Sequence, residues 1–330
     1  MRLCGKAAIA TRIMNTTASF SPARLPDAPG AVYLAPRGFE ADLAKELALK
    51  GKDVVFTQDR LVGTRQSPEH MIWAENTWLE PVFIPMESIK DGASKLRAIQ
   101  RNWALYSICE HRRAALVQES LPKVGSKPFV FGQPLPEAPM GSWTLWSRDC
   151  ILASAACTSR FANGELHFAE DKHNPPNRAY LKLWEFFTRT GVRPGPGDLC
   201  LDLGSAPGGW SWVLAQMGAS VFSIDKAELA PTIAAHPLVE HCRGSAFAME
   251  PRIAGNVSWL FSDVACYPAR LYDFIQRWLD AESEANMVCT IKFAGPTDFE
   301  YLDRFLQINN SNCIHLYANK HEVTWFRLVK

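Results

Sequence analysis

The stretch LDLGSAPGGWSWVLAQMGASVFSID, residues 201–225, constrains the fold more than any other part of this chain. An apolar run leads into a turn rich in glycine and proline, a tryptophan-containing helix follows, and a second apolar run ends at Asp225. This order predicts a βαβ unit, because parallel strands need a crossover connection between them. In sheets built from such units, ligands lie beyond the carboxyl ends of the strands. The stretch therefore predicts an α/β domain with a ligand at the glycine-rich turn.

The rest of the second half continues this alternation from about Asn174 onward. The segment AYLKLWEFFTRT is typical of a helix, and Gly191 is expected to end it. Strands are predicted in DLCLDLG, ASVFSID, VEHCRG, VSWLFSDVA and MVCTIKFAG, and the final CIHLYANKHEVTWFRLV predicts an antiparallel hairpin on one flank. We expect residues 166–330 to form a Rossmann-like domain, a mostly parallel sheet with helices on both faces.

The first half has a different pattern, and residues 1–165 are expected to form an α+β region. Residues 1–30 are predicted to be a loose lead-in, residues 30–130 the core of the region, and residues 131–165 its connecting strands. Within the last of these, SWTLWSRDCILASAACTS followed by GELHFAE alternates as two strands joined by a turn would.

Two helical patterns occur in this region. Residues 88–121 are expected to be helical in two pieces, and Gly51 is expected to end an earlier helix. The apolar face of the earlier helix is predicted to comprise Phe39, Leu43, Leu47 and Leu49, and one face of the later segment Leu96, Ile99, Trp103 and Tyr106.

Composition narrows the class of protein. The 330 residues are 47% hydrophobic and 21% charged, which is typical of a globular protein of one or two domains. No apolar run approaches the roughly 20 residues that cross a bilayer, and the N-terminal segment does not resemble a signal peptide. The nine cysteines are scattered, without a CxxC pair or zinc spacing, so no metal is predicted. We expect a reducing, cytoplasmic location and no membrane partner.

The net charge of +1 conceals a mild excess of basic residues in the first half. Such a bias is compatible with a nucleic-acid surface. The candidates for phosphate contacts are Lys95, Arg97, Arg101, Arg112 and Arg113. The alternative is an ordinary solvated helix face.

The glycine-rich turn itself discriminates between ligands. It lacks the GxGxxG spacing of dinucleotide sites, and Trp210 stands where a Walker loop needs Lys and Ser or Thr. An adenosyl ligand without phosphates fits better, which favours S-adenosylmethionine, with Asp225 accepting from the ribose hydroxyls. The candidate contacts near the turn are Asp202, Gly204, Ser205, Ala206, Pro207, Gly208, Gly209 and Trp210, of which Trp210 is expected to help wall the pocket. The alternative is that the turn is only a tight connection.

The segment LDLGSAPGGWSWVL resembles the corresponding motif of the FtsJ-type ribose 2′-O-methyltransferases. The resemblance implies a Lys-Asp-Lys-Glu tetrad. Its members would be Lys182 in NRAYLKLWEFF, Asp263 in LFSDVA, Lys292 in TIKFAG and Glu322 in HEVTWF, and Asp263 would also lie against the cofactor. Where the family often has an acidic residue beside the adenine amino group, this chain reads RGSAF, so either Ser245 or a backbone group would make that contact.

The first half carries a weaker resemblance. LAPRGFEADLAKEL is similar to the opening of a family member that methylates a cytidine ribose in large-subunit (23S) ribosomal RNA and has a THUMP-containing N-terminal region. The resemblance implies a THUMP-like, RNA-binding region over residues 1–165, 23S ribosomal RNA as the partner, and a monomer or weak dimer.

The resemblance also implies a division of labour within the tetrad. An RNA hydroxyl attacks a methyl group only after losing its proton, and a lysine can take that proton if burial and a second ammonium group favour its neutral form. Lys292 would be the base and Lys182 the second ammonium, while Asp263 would steer Lys292 and the hydroxyl. Glu322 would orient Lys182 or the ribose. The alternatives are a different RNA substrate, such as tRNA or a messenger cap, and a non-catalytic RNA-binding accessory protein.

Overall fold

The computed structural model describes residues 27–125 and 127–329, so most of the predicted lead-in lies outside the described residues. The strands are β1 Ala31–Leu34, β2 Val54–Gln58, β3 Leu61–Thr64, β4 Asn76–Trp78, β5 Val82–Pro85, β6 Trp103–Leu105, β7 Gly141–Ser147, β8 Cys150–Ser154, β9 Leu199–Leu203, β10 Ser220–Asp225, β11 Val239–Arg243, β12 Trp259–Ser262, β13 Asn286–Lys292, β14 Ser311–Ile314 and β15 Glu322–Arg327. The α-helices are α1 Glu40–Leu49, α2 Ile89–Ile99, α3 His111–Glu119, α4 Tyr180–Thr190, α5 Gly209–Gln216, α6 Pro231–Ala234, α7 Pro251–Ala254, α8 Pro268–Asp280 and α9 Phe299–Leu306. Within these described ranges no helix is both long and apolar enough to cross a membrane.

The second half forms a seven-stranded sheet in the order β11-β10-β9-β12-β13-β15-β14. The first five of these strands run parallel, and β15 lies antiparallel between β13 and β14. The predicted Rossmann-like sheet with an antiparallel C-terminal flank is therefore confirmed. The chain moves outward from β9 through β10 to β11 and then returns to β12, so the strand order reverses beside β9. Ligands of open α/β sheets lie at such a reversal.

Helix α4 covers the sheet and carries several side chains toward its carboxyl edge. Nearly all of its residues are buried, because aromatic and aliphatic side chains occupy most of its length. The helix ends as predicted at Gly191, whose φ of 71° is a left-handed conformation that favours glycine. Its burial fixes the position of any functional group that it presents at the sheet edge.

The first half forms two four-stranded sheets, β2-β3-β1-β4 and β5-β8-β7-β6. Helix α1 ends just before Gly51 as expected, but Leu49 is 63% exposed and does not belong to its buried face. The strand prediction for GELHFAE is also wrong, because this segment makes only one isolated bridge, between Phe129 and Phe168.

The predicted helical face of residues 96–106 is wrong beyond its first member. Helix α2 ends at Ile99, which is exposed, and Gln100 takes an extended conformation. Trp103 lies instead in β6 and pairs in parallel with β7, while its indole N–H donates to the carbonyl of Leu96. Strand pairing and burial of the indole therefore outweigh the helical spacing of these residues.

The sheet that contains β1 packs directly against the seven-stranded sheet. Tyr33 and Trp73 belong to the same buried apolar cluster as Ile291 and Val323, so the two halves share a core. The ring of His70 donates to the carbonyl of Cys313 across this junction at 2.8 Å. The first half is thereby held beside the carboxyl ends of β12 and β13.

Candidate active site

The predicted tetrad residues come from four different elements. Lys182 lies on α4, Asp263 directly follows β12, Lys292 is the last residue of β13, and Glu322 is the first residue of β15. Parallel β12 and β13 present their carboxyl ends at the same edge. The antiparallel pairing of β13 with β15 then places Glu322 opposite Lys292. The topology thus brings all four to one point on the sheet edge.

The four side chains form a continuous network of ion pairs. Lys182 Nζ lies 2.6 Å from Glu322 Oε1 and 3.1 and 3.2 Å from the two carboxylate oxygens of Asp263. Lys292 Nζ lies 3.0 Å from Asp263 Oδ1 and donates to the backbone carbonyl of the same residue at 2.7 Å. The two ammonium groups therefore share one oxygen, Asp263 Oδ1.

The two lysines differ in their surroundings. Burial acts to lower the pKa of Lys182, but the charges of Asp263 and Glu322 outweigh burial, and the pKa is raised above its ordinary value. Lys182 consequently stays protonated at neutral pH. Lys292 contacts one carboxylate instead of two, and its side chain is 27% exposed, against 11% for Lys182. Of the two, Lys292 is the lysine that a substrate can reach more easily.

A cavity of about 950 Å³ opens over the network. Lys182, Lys292 and Glu322 line it from the second half of the chain, while Arg37 and Arg60 line it from the first half. We call this space the tetrad cavity. It is large enough for a nucleotide, and its walls come from both halves of the molecule.

The glycine-rich turn adjoins the tetrad cavity. A Cβ added to Gly204 would lie 2.5 Å from the side chain of Val264, the residue after Asp263. A Cβ on Gly209 would lie 2.1 Å from Asn177 Oδ1, and Asn177 also lines the cavity. Gly204 and Gly208 have φ values of 78° and 112°, which side chains other than glycine rarely adopt. The turn therefore needs glycine both for its conformation and for its close approach to the tetrad.

The predicted cofactor residues are distributed along the same edge of the sheet. Asp225 ends β10, Ser245 follows β11, and Asp263 follows β12. The remaining ones lie at the end of β9, in the turn or at the start of α5: Asp202, Gly204, Ser205, Ala206, Pro207, Gly208, Gly209 and Trp210. Asp225 holds the turn, because its carboxylate accepts the N–H groups of Ala206 at 3.1 Å and Ala227 at 2.9 Å.

Trp210, which is expected to help wall the cofactor pocket, packs in the core between α4 and α5. Its ring is buried in the core beneath α4, with the rings of Trp210 and Phe261 edge to face. Its indole N–H donates to the carbonyl of Ala179 at 3.0 Å. The first turn of α5 faces α4, so the side chain that follows Gly209 joins the packing between these helices.

Unpaired polar atoms at the turn match the groups of an adenosyl cofactor. Asp202 Oδ1 and Ser205 Oγ are buried and have no hydrogen-bond partner among the described residues. Burial raises the pKa of Asp202 to about 7, although its other oxygen accepts from the Ser211 hydroxyl at 2.6 Å. S-adenosylmethionine offers an ammonium group and ribose hydroxyls, which are donors for such acceptors. The residues present therefore fit this cofactor.

The predicted phosphate contacts are not brought to the tetrad. Lys95 pairs with Asp91 at 2.8 Å, Arg97 donates to the carbonyl of Ser120, and Arg113 donates to that of Arg148. Lys95, Arg97, Arg101, Arg112 and Arg113 lie on or next to α2 and α3, and none of them lines the tetrad cavity. The arginines that do line it from the first half are Arg37, which follows β1, and Arg60, which lies between β2 and β3.

Sequence reasoning missed Glu185, which lies three residues after Lys182 on α4. Its buried carboxylate accepts the backbone N–H groups of Tyr317 at 3.0 Å and Ala318 at 3.4 Å, and it pairs with Arg189 at 2.7 Å. The signal was available, because residues three apart on a helix share a face and an acid on a buried face needs partners.

Comparisons with known proteins agree with this architecture. Residues 175–288 match the family described as FtsJ-like methyltransferase, a range that contains the glycine-rich turn, Lys182 and Asp263. This part of the chain is therefore similar to FtsJ-like methyltransferases, and the match supports S-adenosylmethionine as the cofactor.

The chain is also similar in sequence to individual proteins of known name. The chain is 35% identical over 159 residues to the ribosomal RNA large subunit methyltransferase M of Halorhodospira halophila, an alignment that covers 46% of each chain. It is 37% identical over 166 residues to the protein of that name from Azotobacter vinelandii, covering 45% of this chain and 46% of the relative. The predicted resemblance to this member of the FtsJ-type proteins is confirmed. The chain spans less than half the length of these relatives.

Proposed function

We propose that this protein is an S-adenosylmethionine-dependent RNA ribose 2′-O-methyltransferase that acts on a cytidine of large-subunit (23S) ribosomal RNA. The observation that carries the proposal is the network in which Lys182 and Lys292 share one oxygen of Asp263 beside the glycine-rich turn. The relatives' names give the class of RNA. We also propose that residues 1–165 form a THUMP-like RNA-binding region and residues 166–330 the methyltransferase domain.

The four residues divide the work of activating a ribose hydroxyl. Lys292 acts as the general base: in its neutral form it accepts the 2′-OH proton at Nζ as the oxygen attacks. Lys182, held as a cation by two carboxylates, places a fixed positive charge beside the reacting groups. S-adenosylmethionine, when bound, supplies the methyl group. Asp263 orients both lysines, which reduces the cost of positioning the reacting groups.

Glu322 acts through Lys182 in this proposal. Its carboxylate lies 2.6 Å from Lys182 Nζ and is itself largely buried, so it fixes the ammonium group in place. Asp202, Ser205, Asp225 and the glycine backbone would hold the cofactor at the adjoining turn. The network leaves Lys292 as the more accessible base at the floor of the tetrad cavity.

The proposal is tested by the chemical position of the transferred methyl group. The protein is incubated with S-adenosylmethionine labelled in its methyl group and with ribosomal RNA from cells that lack the enzyme, and the RNA is then hydrolysed in alkali. A 2′-O-methyl group blocks cleavage of the adjacent phosphodiester, so we expect the label in alkali-resistant dinucleotides. Label in mononucleotides would mean base methylation, and absence of label would favour a non-catalytic RNA-binding role.

A further inference from the structure

We infer that the mouth of the tetrad cavity is a binding site for single-stranded RNA, in which Tyr317 stacks on a base and Arg37 and Lys320 contact the flanking phosphates. The inference rests on the proposed function and adds to it the residues that select and hold the RNA strand.

Tyr317 is an exposed aromatic ring at the mouth of this cavity. It is 42% exposed and lines the cavity. The ring of His167, also exposed and also lining the cavity, lies edge to face with it at 4.8 Å between centroids. The exposed pair formed by Tyr317 and His167 thus offers a ring face on which a planar ligand can stack.

The loop that carries Tyr317 is held rigidly. Glu185, only 1% exposed, accepts two successive backbone N–H groups of this loop, those of Tyr317 and Ala318. Burial lowers the pKa of His315 to about 4, so its ring is neutral at pH 7, and its Nε2 donates to the carbonyl of Lys320 at 3.1 Å. The exposed ring is therefore held in place before a ligand arrives, which reduces the entropic cost of binding.

Most charges around the cavity are already paired. Arg60 pairs with Glu75, Arg178 with Glu170 at 2.6 Å, and Lys182 with the tetrad carboxylates. Two exposed cations, Arg37 and Lys320, also line the cavity. Among the described residues, neither of these two side chains makes an ion pair or a hydrogen bond.

These two cations come from the two halves of the chain. Arg37 follows β1 in the first half, and Lys320 lies between β14 and β15 in the second. An anion that reaches both must span the junction between the halves of the molecule. A polynucleotide strand does so, because its phosphates recur along an extended backbone.

The combination of groups selects single-stranded RNA over other ligands. An exposed ring stacks on a splayed base, and free cations bind the flanking phosphates. The tetrad below them requires a 2′-hydroxyl. In a duplex the bases are stacked within the helix, so the Tyr317 ring would have no free base to receive.

The test uses the full chain and a fluorescent single-stranded RNA 12-mer, with a duplex of the same sequence and the matching single-stranded DNA as comparison probes. We expect Tyr317→Ala to weaken single-stranded RNA binding about tenfold and Tyr317→Phe to stay within about twofold, because stacking needs the ring and not the hydroxyl. Arg37→Ala and Lys320→Ala should each lower the salt slope of binding by about one. Arg193→Ala, an exposed arginine before β9 at the opposite edge of the sheet, is the matched control and should leave the slope unchanged.

Methyl transfer to ribosomal RNA separates this inference from the proposed function. For Tyr317→Ala we expect a KM for RNA raised about tenfold with unchanged affinity for S-adenosylmethionine. Wild-type transfer combined with wild-type KM and RNA affinity in Tyr317→Ala would overturn the binding site and leave the function intact. Loss of RNA affinity in Tyr317→Ala, in a protein that transfers no methyl to ribose, would support the binding site and overturn the function. Equal affinity for the duplex and single-stranded RNA would overturn the site's selectivity.

Discussion

The tetrad cavity and the surface of α2 and α3 both carry several basic residues, but they hold them in different ways. In the cavity, Lys182 is buried between two carboxylates, and Lys292 shares one of them. On α2 and α3, Arg97 and Arg113 are turned toward backbone carbonyls of their own region, and no cluster of opposite charge is buried with them. Burying charges is costly unless they are paired, so the cavity retains an arrangement that packing alone would not favour.

This difference shows which charged residues indicate a functional site. A row of basic residues along a helix face can be an RNA-binding surface or an ordinary solvated surface. The sequence alone does not distinguish these two cases. Ionisable residues that come together at the carboxyl edge of a parallel sheet have a position that the fold determines. The predictions below test whether function depends on the ionisable residues at the sheet edge more than on those of the helix surface.

The largest effect is expected at Lys292. Replacing it with alanine removes the proposed base, and we expect single-turnover methyl transfer to fall about 1,000-fold. Lys292→Arg should be equally inactive, because arginine keeps the positive charge but does not give up its proton near neutral pH. Calorimetry should show S-adenosylmethionine binding to both variants with wild-type affinity. An active Lys292→Ala protein would mean that a different group takes the proton.

A smaller effect is expected at Glu322, which acts through Lys182. Glu322→Gln removes one of the two carboxylates that raise the pKa of Lys182 and loosens the position of its ammonium group. We expect transfer to slow by about 10- to 100-fold, a range typical of a misplaced catalytic group. The matched control is Glu300→Gln, which neutralises an exposed glutamate on α9 and should transfer at the wild-type rate. Equal rates in the two variants would remove Glu322 from the mechanism.

Asp202 is a buried acid without a basic partner, in contrast to Asp263. Burial raises its pKa from 3.8 to about 7. Between these two pH values Asp202 is therefore protonated in the folded state and deprotonated in the unfolded state. The free energy of unfolding is consequently highest at low pH and falls as pH rises toward 8. Without cofactor, the free energy of unfolding of the wild-type protein should decrease between pH 5 and pH 8. In Asp202→Asn we expect this decrease to be smaller by about 1–3 kcal/mol. If the unfolding free energies of the two proteins change equally with pH across this range, the raised pKa of Asp202 is contradicted.

The smallest effect is expected on the surface of α2 and α3. Replacing Arg97 and Arg101 together by alanine should weaken RNA binding about two- to fivefold and flatten its salt dependence. The change should be smaller than that produced by Arg37→Ala and Lys320→Ala combined. Measuring the logarithm of the RNA affinity against salt for both pairs ranks the two surfaces directly. A larger loss from the Arg97 and Arg101 pair would reverse the comparison.

The sequence predicted the second half well because its signals are local. The βαβ alternation, the glycine-rich turn and the end of α4 at Gly191 all depend on neighbouring residues. The tetrad members could be named only through the resemblance to the FtsJ-type family, and the structure does bring them together. Their contacts could not be predicted, since the sharing of Asp263 Oδ1 depends on how α4 packs against the sheet.

Long-range packing explains most of the errors. Trp103 has the spacing of a helix face, but the pairing of β6 with β7 places it in a strand. Trp210 follows the turn in sequence, and the packing of α5 against α4 buries its ring, a contact that the sequence does not predict. The tetrad cavity has a wall from the first half because Tyr33 and Trp73 share a core with Val323, a contact across nearly the whole chain. Local patterns carry no information about such contacts.

The most direct test of the central claim is the pH dependence of single-turnover methyl transfer, compared between the wild-type protein and Lys292→Ala. If Lys292 accepts the hydroxyl proton, the logarithm of the wild-type rate should rise with a slope near one as pH increases, because a general base accepts a proton only in its deprotonated form. The residual rate of Lys292→Ala should not follow that rise. Identical pH profiles for the two proteins would contradict the assignment of Lys292 as the base.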